Sequence, residues 1–174
     1  EGSPVFGSDA DMHYIHPLTG AATRNTLAQQ LRIVAKMIAA AGALGVKRQV
    51  FFVSFVSFDT HDFQNRNHTD LMARLAHGLR YFDTVLGRLG AQDKVTTFTA
   101  SDFGRMFTSN GDGTDHGWGA HHFLMGGAVQ GGDVYGTFPT YGLRNAAGND
   151  FSSPDQVEGN GSLLPSVSVD QYAA

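Results

Sequence analysis

The sequence predicts an α/β protein, a βαβ-based parallel sheet flanked by helices, and three stretches carry that prediction. "RQVFFVSFVSFD", from Arg48 to Asp59, is apolar on both alternations of a two-residue period, the pattern of a strand covered on both faces. Leu71, Leu75, Leu79, Phe82, Leu86 and Leu89 recur at spacings of three and four, the stripe of an amphipathic helix. "DKVTTFTASD", from Asp93 to Asp102, is a short Val, Thr and Phe run suited to a second strand. Strand, helix and strand at these lengths make a right-handed crossover unit.

Taken in order, Glu1 to Arg24 has no periodic pattern and reads as an extended N-terminal segment. Leu27, Leu31, Val34 and Ile38 predict a helix from about Asn25 to Ala43, with Thr26 and Gln29 as a T-x-x-Q capping box. The first strand follows at Gln49 to Val56. Asp70 falls in the first turn of the second helix, where a carboxylate complements the helix dipole, and Gly90 closes that helix. The second strand runs from Lys94 to Thr99. Beyond Gly111 come glycine-rich turns, broken by "HHFLMGG" and "GDVYGTFP", each sized for one short strand. Tyr141 to Gly161 mixes Asn, Gly, Ser, Asp and Pro without periodicity and is expected to be an exposed loop, while Asp170 to Ala174 reads as the start of a helix. The chain is thus one domain or part of one, with an extended segment 1–24, an α/β core 25–140 and a loop-rich end 141–174. No Met stands at its start and a helix begins where it stops, so both ends read as cut.

Composition narrows the function classes. With 41% apolar and 16% charged residues over 174 positions, the chain can bury a core and is too apolar for general disorder. The net charge is −4 and the basic residues are scattered, so no groove for nucleic acid is expected. No apolar run approaches the ~20 residues of a membrane-spanning helix. With no cysteine, any metal must be held by His, Asp, Glu or carbonyl oxygen.

The predicted strands place a site. Asp59 follows the end of the first and Asp102 the end of the second, so a parallel sheet would deliver both carboxylates to the edge where open α/β sheets bind ligands. "FDTHDFQNRNH" adds His61, Asp62 and His68; "SDFGRMFTSNGDGTDHGWGAHHF" adds Arg105, Asp115, His116, His121 and His122. Oxygen and imidazole donors in this mixture suit zinc, manganese, iron or calcium, and leave a position open for water or substrate. Arg105 beside them fits a phosphate, sulfate or carboxylate in a bidentate grip. Simpler roles suit the remainder: His68 as a residue preceding a helix, Trp118 as a packing anchor, and His13, His16 and His77 as surface or helix positions.

"LAQQLRIVAKMIAA", "VFFVSFVSFDTHDFQ", "VTTFTASDFGRMFTSNGDGTDHGWGAHHFLMGGAVQGG" and "YGTFP" resemble the bacterial DUF1501 family, many of whose members carry twin-arginine export signals. The likeness runs from about Asn25 to Ala174 and is most specific from Val95 to Gly132. That family is in turn distantly similar to the alkaline phosphatase and sulfatase superfamily. The resemblance implies an alkaline phosphatase-like fold, a periplasmic or secreted location, and metal-dependent hydrolysis of a phosphate, sulfate or other ester in a small molecule or polymer. It implies Asp59 and His61 at a first metal position, Asp102 at a second and His116 returning to the first. Arg105 would then hold the anion, with His121 as a further ligand and His122 as a proton donor. Zinc is the leading metal, with manganese, calcium, iron and copper as alternatives. Phe103 stands where the superfamily has a second His, and Asp59 and His61 are spaced more closely than usual, so one metal and two both fit. The superfamily's nucleophile loop would lie upstream of this chain. The same ligands also suit a metal-binding exported protein without catalysis, or an iron or copper enzyme of oxidative chemistry. Sheet edges left open would be covered by a second copy or a partner chain.

Overall fold

The computed structural model describes residues 3–143, 151–157, 159 and 161–173 of the chain. They form a mixed α/β structure of three α-helices and three two-stranded antiparallel ladders, grouped into two compact units.

The first unit comprises Glu1–Asp59, Asn65–Thr96 and Gly126–Val129. A short hairpin pairs β1 (His13–Ile15) with β2 (Ala22–Arg24) and leads into helix α1 (Thr26–Ala39). The cap of α1 is Asn25, not the expected Thr26. Asn25 is wholly buried, its side-chain oxygen accepts from the Leu27 amide at 3.0 Å, and its Nδ2 donates to the Arg74 carbonyl at 2.8 Å. Helix α2 spans Gln64–Leu89, starting a full turn before Asp70, so His68 lies inside the helix. It ends at Gly90, whose φ of 62° is left-handed, with the Ala91 amide reaching back to the Leu86 carbonyl at 2.9 Å. Leu27, Ala28, Leu31 and Ala35 of α1 are buried, as are Leu71, Gly78, Tyr81, Phe82, Val85 and Leu86 of α2. A Cβ on Gly78 would lie 2.9 Å from Leu27 Cδ2, so a glycine sets how closely the helices pack. Met12 and Tyr14 complete this core.

The first expected strand departs from the prediction. Gln49–Val56 has no regular secondary structure and no strand pairs with it among the described residues, and Val50, Phe52 and Val56 are 98%, 94% and 70% exposed. The side-chain pattern specifies an extended backbone; only a neighbouring strand makes that backbone part of a sheet.

The second unit comprises Thr60–Gln64, Thr97–Met125 and Gln130–Ala174. The second expected strand shrinks to β3 (Thr97–Phe98), which pairs antiparallel with β6 (Leu124–Met125) inside "HHFLMGG". The predicted parallel sheet and its crossover therefore do not form among the described residues, where every pairing is antiparallel. "GDVYGTFP" is not a strand. Between β3 and β6 lies a hairpin absent from the prediction, β4 (Gly104–Ser109) with β5 (Thr114–Gly117). Asn110–Gly113 forms its tip, where the Gly113 amide donates to Asn110 Oδ1 at 3.1 Å. Helix α3 (Val169–Ala173) begins where the sequence signalled a helix, and Tyr172 OH donates to the Thr99 carbonyl at 2.9 Å. The loop expected over Tyr141 to Gly161 falls partly outside the described residues; within it Gln156 makes an antiparallel bridge to Leu163. No helix among the described residues is long and apolar enough to cross a membrane.

Candidate metal centre

The β4–β5 hairpin is tied to the short segment that opens the second unit, Thr60–Gln64, by hydrogen bonds and a close backbone approach. The Gln64 amide donates to the Asp112 carbonyl at 3.0 Å, and Thr114 Oγ1 donates to Gln64 Oε1 at 2.9 Å. Arg105 spans the gap, donating through one terminal nitrogen to the Thr114 carbonyl at 2.6 Å and through the other to Oγ1 of the buried Thr60 at 3.3 Å. At the hairpin tip the backbones touch: a Cβ on Gly113 would fall 2.0 Å from the His61 carbonyl oxygen, so no side chain fits there.

This clamp brings His61 to the hairpin. Its Nδ1 lies 3.0 Å from Asp115 Oδ1, which also accepts from Asn110 Nδ2 at 3.2 Å. A carboxylate facing Nδ1 keeps the proton there and turns Nε2 into the lone-pair nitrogen, the arrangement that orients metal-binding histidines. The His61 and His116 rings are 5.0 Å apart at 32°. His116, opposite Arg105 in the hairpin register, is fixed by stacking on Phe103, with ring centroids 3.8 Å apart and planes 7° from parallel. Arg105 lies over the same ring, its guanidinium carbon 5.1 Å from the centroid. Phe103 is thus a plate with an imidazole and a guanidinium against it.

Asp59 immediately precedes Thr60 in the chain and lies two residues before His61. Asp59, His61 and His116 each offer a ligand atom, all within 4.8 Å of one another; His61 is half-buried and the other two are exposed. Ligand atoms ~2.1 Å from a tetrahedral zinc stand roughly 3.4 Å apart, so these three need only a modest tightening of side chains near the surface. Two imidazoles and one carboxylate are also a donor set that leaves a fourth position open for water. The residues present fit a divalent cation.

A family profile described as "Protein of unknown function (DUF1501)" matches residues 11–158. The chain belongs to the DUF1501 family. No curated protein and no solved structure matches it.

Within this DUF1501 chain the remaining predicted site residues lie elsewhere. Asp102 is exposed in the bend before β4 and does not enter the group of three. His121 is exposed and stacks on Phe138, centroids 5.1 Å apart. His122 is half-buried between Tyr172, 5.3 Å away ring to ring, and Thr99, whose Oγ1 is 3.5 Å from Nδ1. Burial, and then the neighbouring His121, hold its pKa below the ordinary imidazole value. Asp115 was visible in "TDHG" but carried no assigned role; a carboxylate next to a candidate ligand histidine in sequence was the available signal.

Proposed function

We propose that Asp59, His61 and His116 hold one divalent cation, zinc first, and that this DUF1501 protein uses it to hydrolyse a phosphate, sulfate or other ester. The observation that carries the reading is the approach of a carboxylate and two imidazoles to within 4.8 Å, with Asp115 against the outer nitrogen of His61. Bound there, such a cation lowers the pKa of a coordinated water toward neutrality and polarises an ester oxygen. The chain's own residues do the rest. Asp115 keeps the proton on His61 Nδ1, so that Nε2 faces the ligand position. Phe103 holds the His116 ring in plane. Arg105 lies over the same Phe103 ring and supplies the nearby positive charge, against which an ester oxyanion would gain electrostatic stabilisation. The order Asp59, His61, His116 along the chain supports the comparison with the alkaline phosphatase and sulfatase superfamily, and with it an exported location.

A second reading, metal binding without catalysis, is favoured by the stacking of Phe103 on His116, which places an apolar ring where a further ligand would stand. Elemental analysis of the purified chain, zinc titration calorimetry, and turnover of nitrophenyl phosphate, sulfate and acetate with and without chelator separate the two. Stoichiometric zinc with chelator-sensitive turnover of one ester supports hydrolysis; zinc without turnover leaves the binding protein; no zinc at all removes both.

A further inference from the structure

Strand β1 and helix α2 leave a groove of about 350 Å³ between them, lined by His13, Tyr14 and Ile15 of the strand and by Ala73, Ala76, His77 and Arg80 of the helix. Residues three and four apart are neighbours on a helix, so these four positions share one face of α2. Alanine at two of them leaves room beside the strand. The groove lies within the first unit and has no residue in common with the metal centre.

Its charge is one-sided. No carboxylate lines it, although the chain carries a net charge of −4. The acidic residues nearby in sequence are engaged elsewhere. Both oxygens of Asp9 accept from Arg24 at 3.1 Å, and Asp11 accepts from the Ser8 amide at 2.6 Å and the Ser8 hydroxyl at 2.9 Å. Asp70 accepts from Tyr14 OH and pairs with Arg74 Nε at 3.0 Å, while Asp83 accepts from Gln92 Nε2 at 3.0 Å. Arg80 is exposed, and its guanidinium makes no hydrogen bond or ion pair among the described residues. His13 donates through Nδ1 to the Asp9 carbonyl at 2.9 Å. Its Nε2 meets no partner among the described residues and gains a hydrogen to donate when the ring is charged. Burial first, and the charges of Arg80 and His13 after it, lower the His77 pKa, with the His13 backbone and Asp11 opposing them. Three basic groups thus act on one another around a space that no acid lines, and an anion placed there relieves their repulsion.

We propose that this groove binds a small organic anion, with a doubly charged head of the phosphate type against Arg80 and His13 and an apolar body along Ala73, Ala76 and Ile15. The guanidinium fork donates to two oxygens of such a head at once. Ile15, 65% exposed beside it, offers apolar surface to the body. A volume of this order suits a ligand of metabolite size.

Phenylphosphonate, which has such a head and body and no ester to cleave, is the probe. It is added to the chelator-treated chain, so that no cation at the metal centre competes for it. By calorimetry it should bind with a Kd of about 1 mM or tighter, and more tightly than inorganic phosphate or singly charged benzoate. In proton NMR spectra the ring signals of His13 and His77 should move and those of His61 and His116 should not. Arg80→Gln should weaken binding about tenfold or more, the usual loss of a hydrogen bond to a charge, with unchanged circular dichroism. Ala76→Phe, which fills the groove and leaves every charge in place, should weaken it as well. A Kd weaker than about 1 mM overturns the proposal, as does a folded Arg80→Gln chain that binds like the parent. Phenylphosphonate binding no tighter than phosphate or benzoate also overturns it, and so does movement of the His61 and His116 signals alone, which puts the anion at Arg105.

Discussion

Asp115 is the residue on which the geometry of the centre turns, because its carboxylate faces Nδ1 of His61 at 3.0 Å. Replacing it by alanine should weaken zinc binding about 10- to 100-fold, the usual cost of losing a carboxylate behind a ligand histidine. Asp115→Asn, which still accepts a hydrogen bond through its amide oxygen, should recover part of that loss. Calorimetric zinc titration of the two variants decides it, and equal affinities would return Asp115 to an ordinary hairpin residue held by Asn110. Gly113 makes a separate demand. Its missing side chain allows the hairpin tip to lie on the His61 carbonyl, where a Cβ would approach to 2.0 Å. Gly113→Ala should therefore cost about 1–3 kcal/mol, as overpacked sites do, and should lower zinc affinity because the hairpin must retreat from the turn. Urea unfolding measures the first effect, and an unchanged midpoint would contradict the close approach.

At the scale of elements, helix α1 is pinned to α2 by one buried amide. Asn25 caps α1 through Oδ1, donates to the Arg74 carbonyl, and sits 3.0 Å from His77 Nδ1. With its oxygen committed to the Leu27 amide, Asn25 presents a donor, so His77 Nδ1 must accept and its proton lies on Nε2. Burial first, and the charges of Arg80 and His13 after it, hold the His77 pKa below 6.5, against opposing contributions from the His13 backbone and Asp11. Because the folded value is the lower one, the unfolded chain binds the extra proton first as pH falls. Stability from this residue is complete above about pH 6.5 and declines below it, until the folded pKa is passed. Urea midpoints near pH 8 and near pH 5 should therefore converge in His77→Gln relative to the parent, with the half-buried His122 leaving a residual acid sensitivity of the same sign. An undiminished pH dependence in His77→Gln would remove His77 as its source. The helices were legible in sequence because a stripe of Leu at three- and four-residue spacing is a local property, though the cap is Asn25, one residue before Thr26, whose side chain also donates to the Arg74 carbonyl of α2. The strands were not, because pairing is decided by partners distant in sequence. Val50 to Val56 has a buried strand's composition and pairs with no strand among the described residues. The β4–β5 hairpin, by contrast, announced itself in Asn110-Gly111 and Asp112-Gly113 and was still obscured by the surrounding glycines.

For the molecule as a whole, the residue types at the centre were readable and the route that joins them was not. A shared sheet edge pointed to Asp59 and Asp102 as paired carboxylates, whereas the observed group joins Asp59 and His61 to His116 through a hairpin clamp and leaves Asp102 outside. That difference is testable through linkage. A cation that binds only the folded state adds about 2.7 kcal/mol at a hundred times its dissociation constant. In a chain of this size each kcal/mol raises the melting temperature by roughly 2–4 °C, so saturating zinc should raise it by about 5–10 °C, and chelator should reverse the shift. Asp59→Ala and His116→Ala should each abolish the shift, read against each variant's own metal-free melting temperature. Asp102→Ala should keep it. Loss of the shift in Asp102→Ala would instead favour the two-metal arrangement of the phosphatase superfamily, with Asp102 drawn in only when the cations are present.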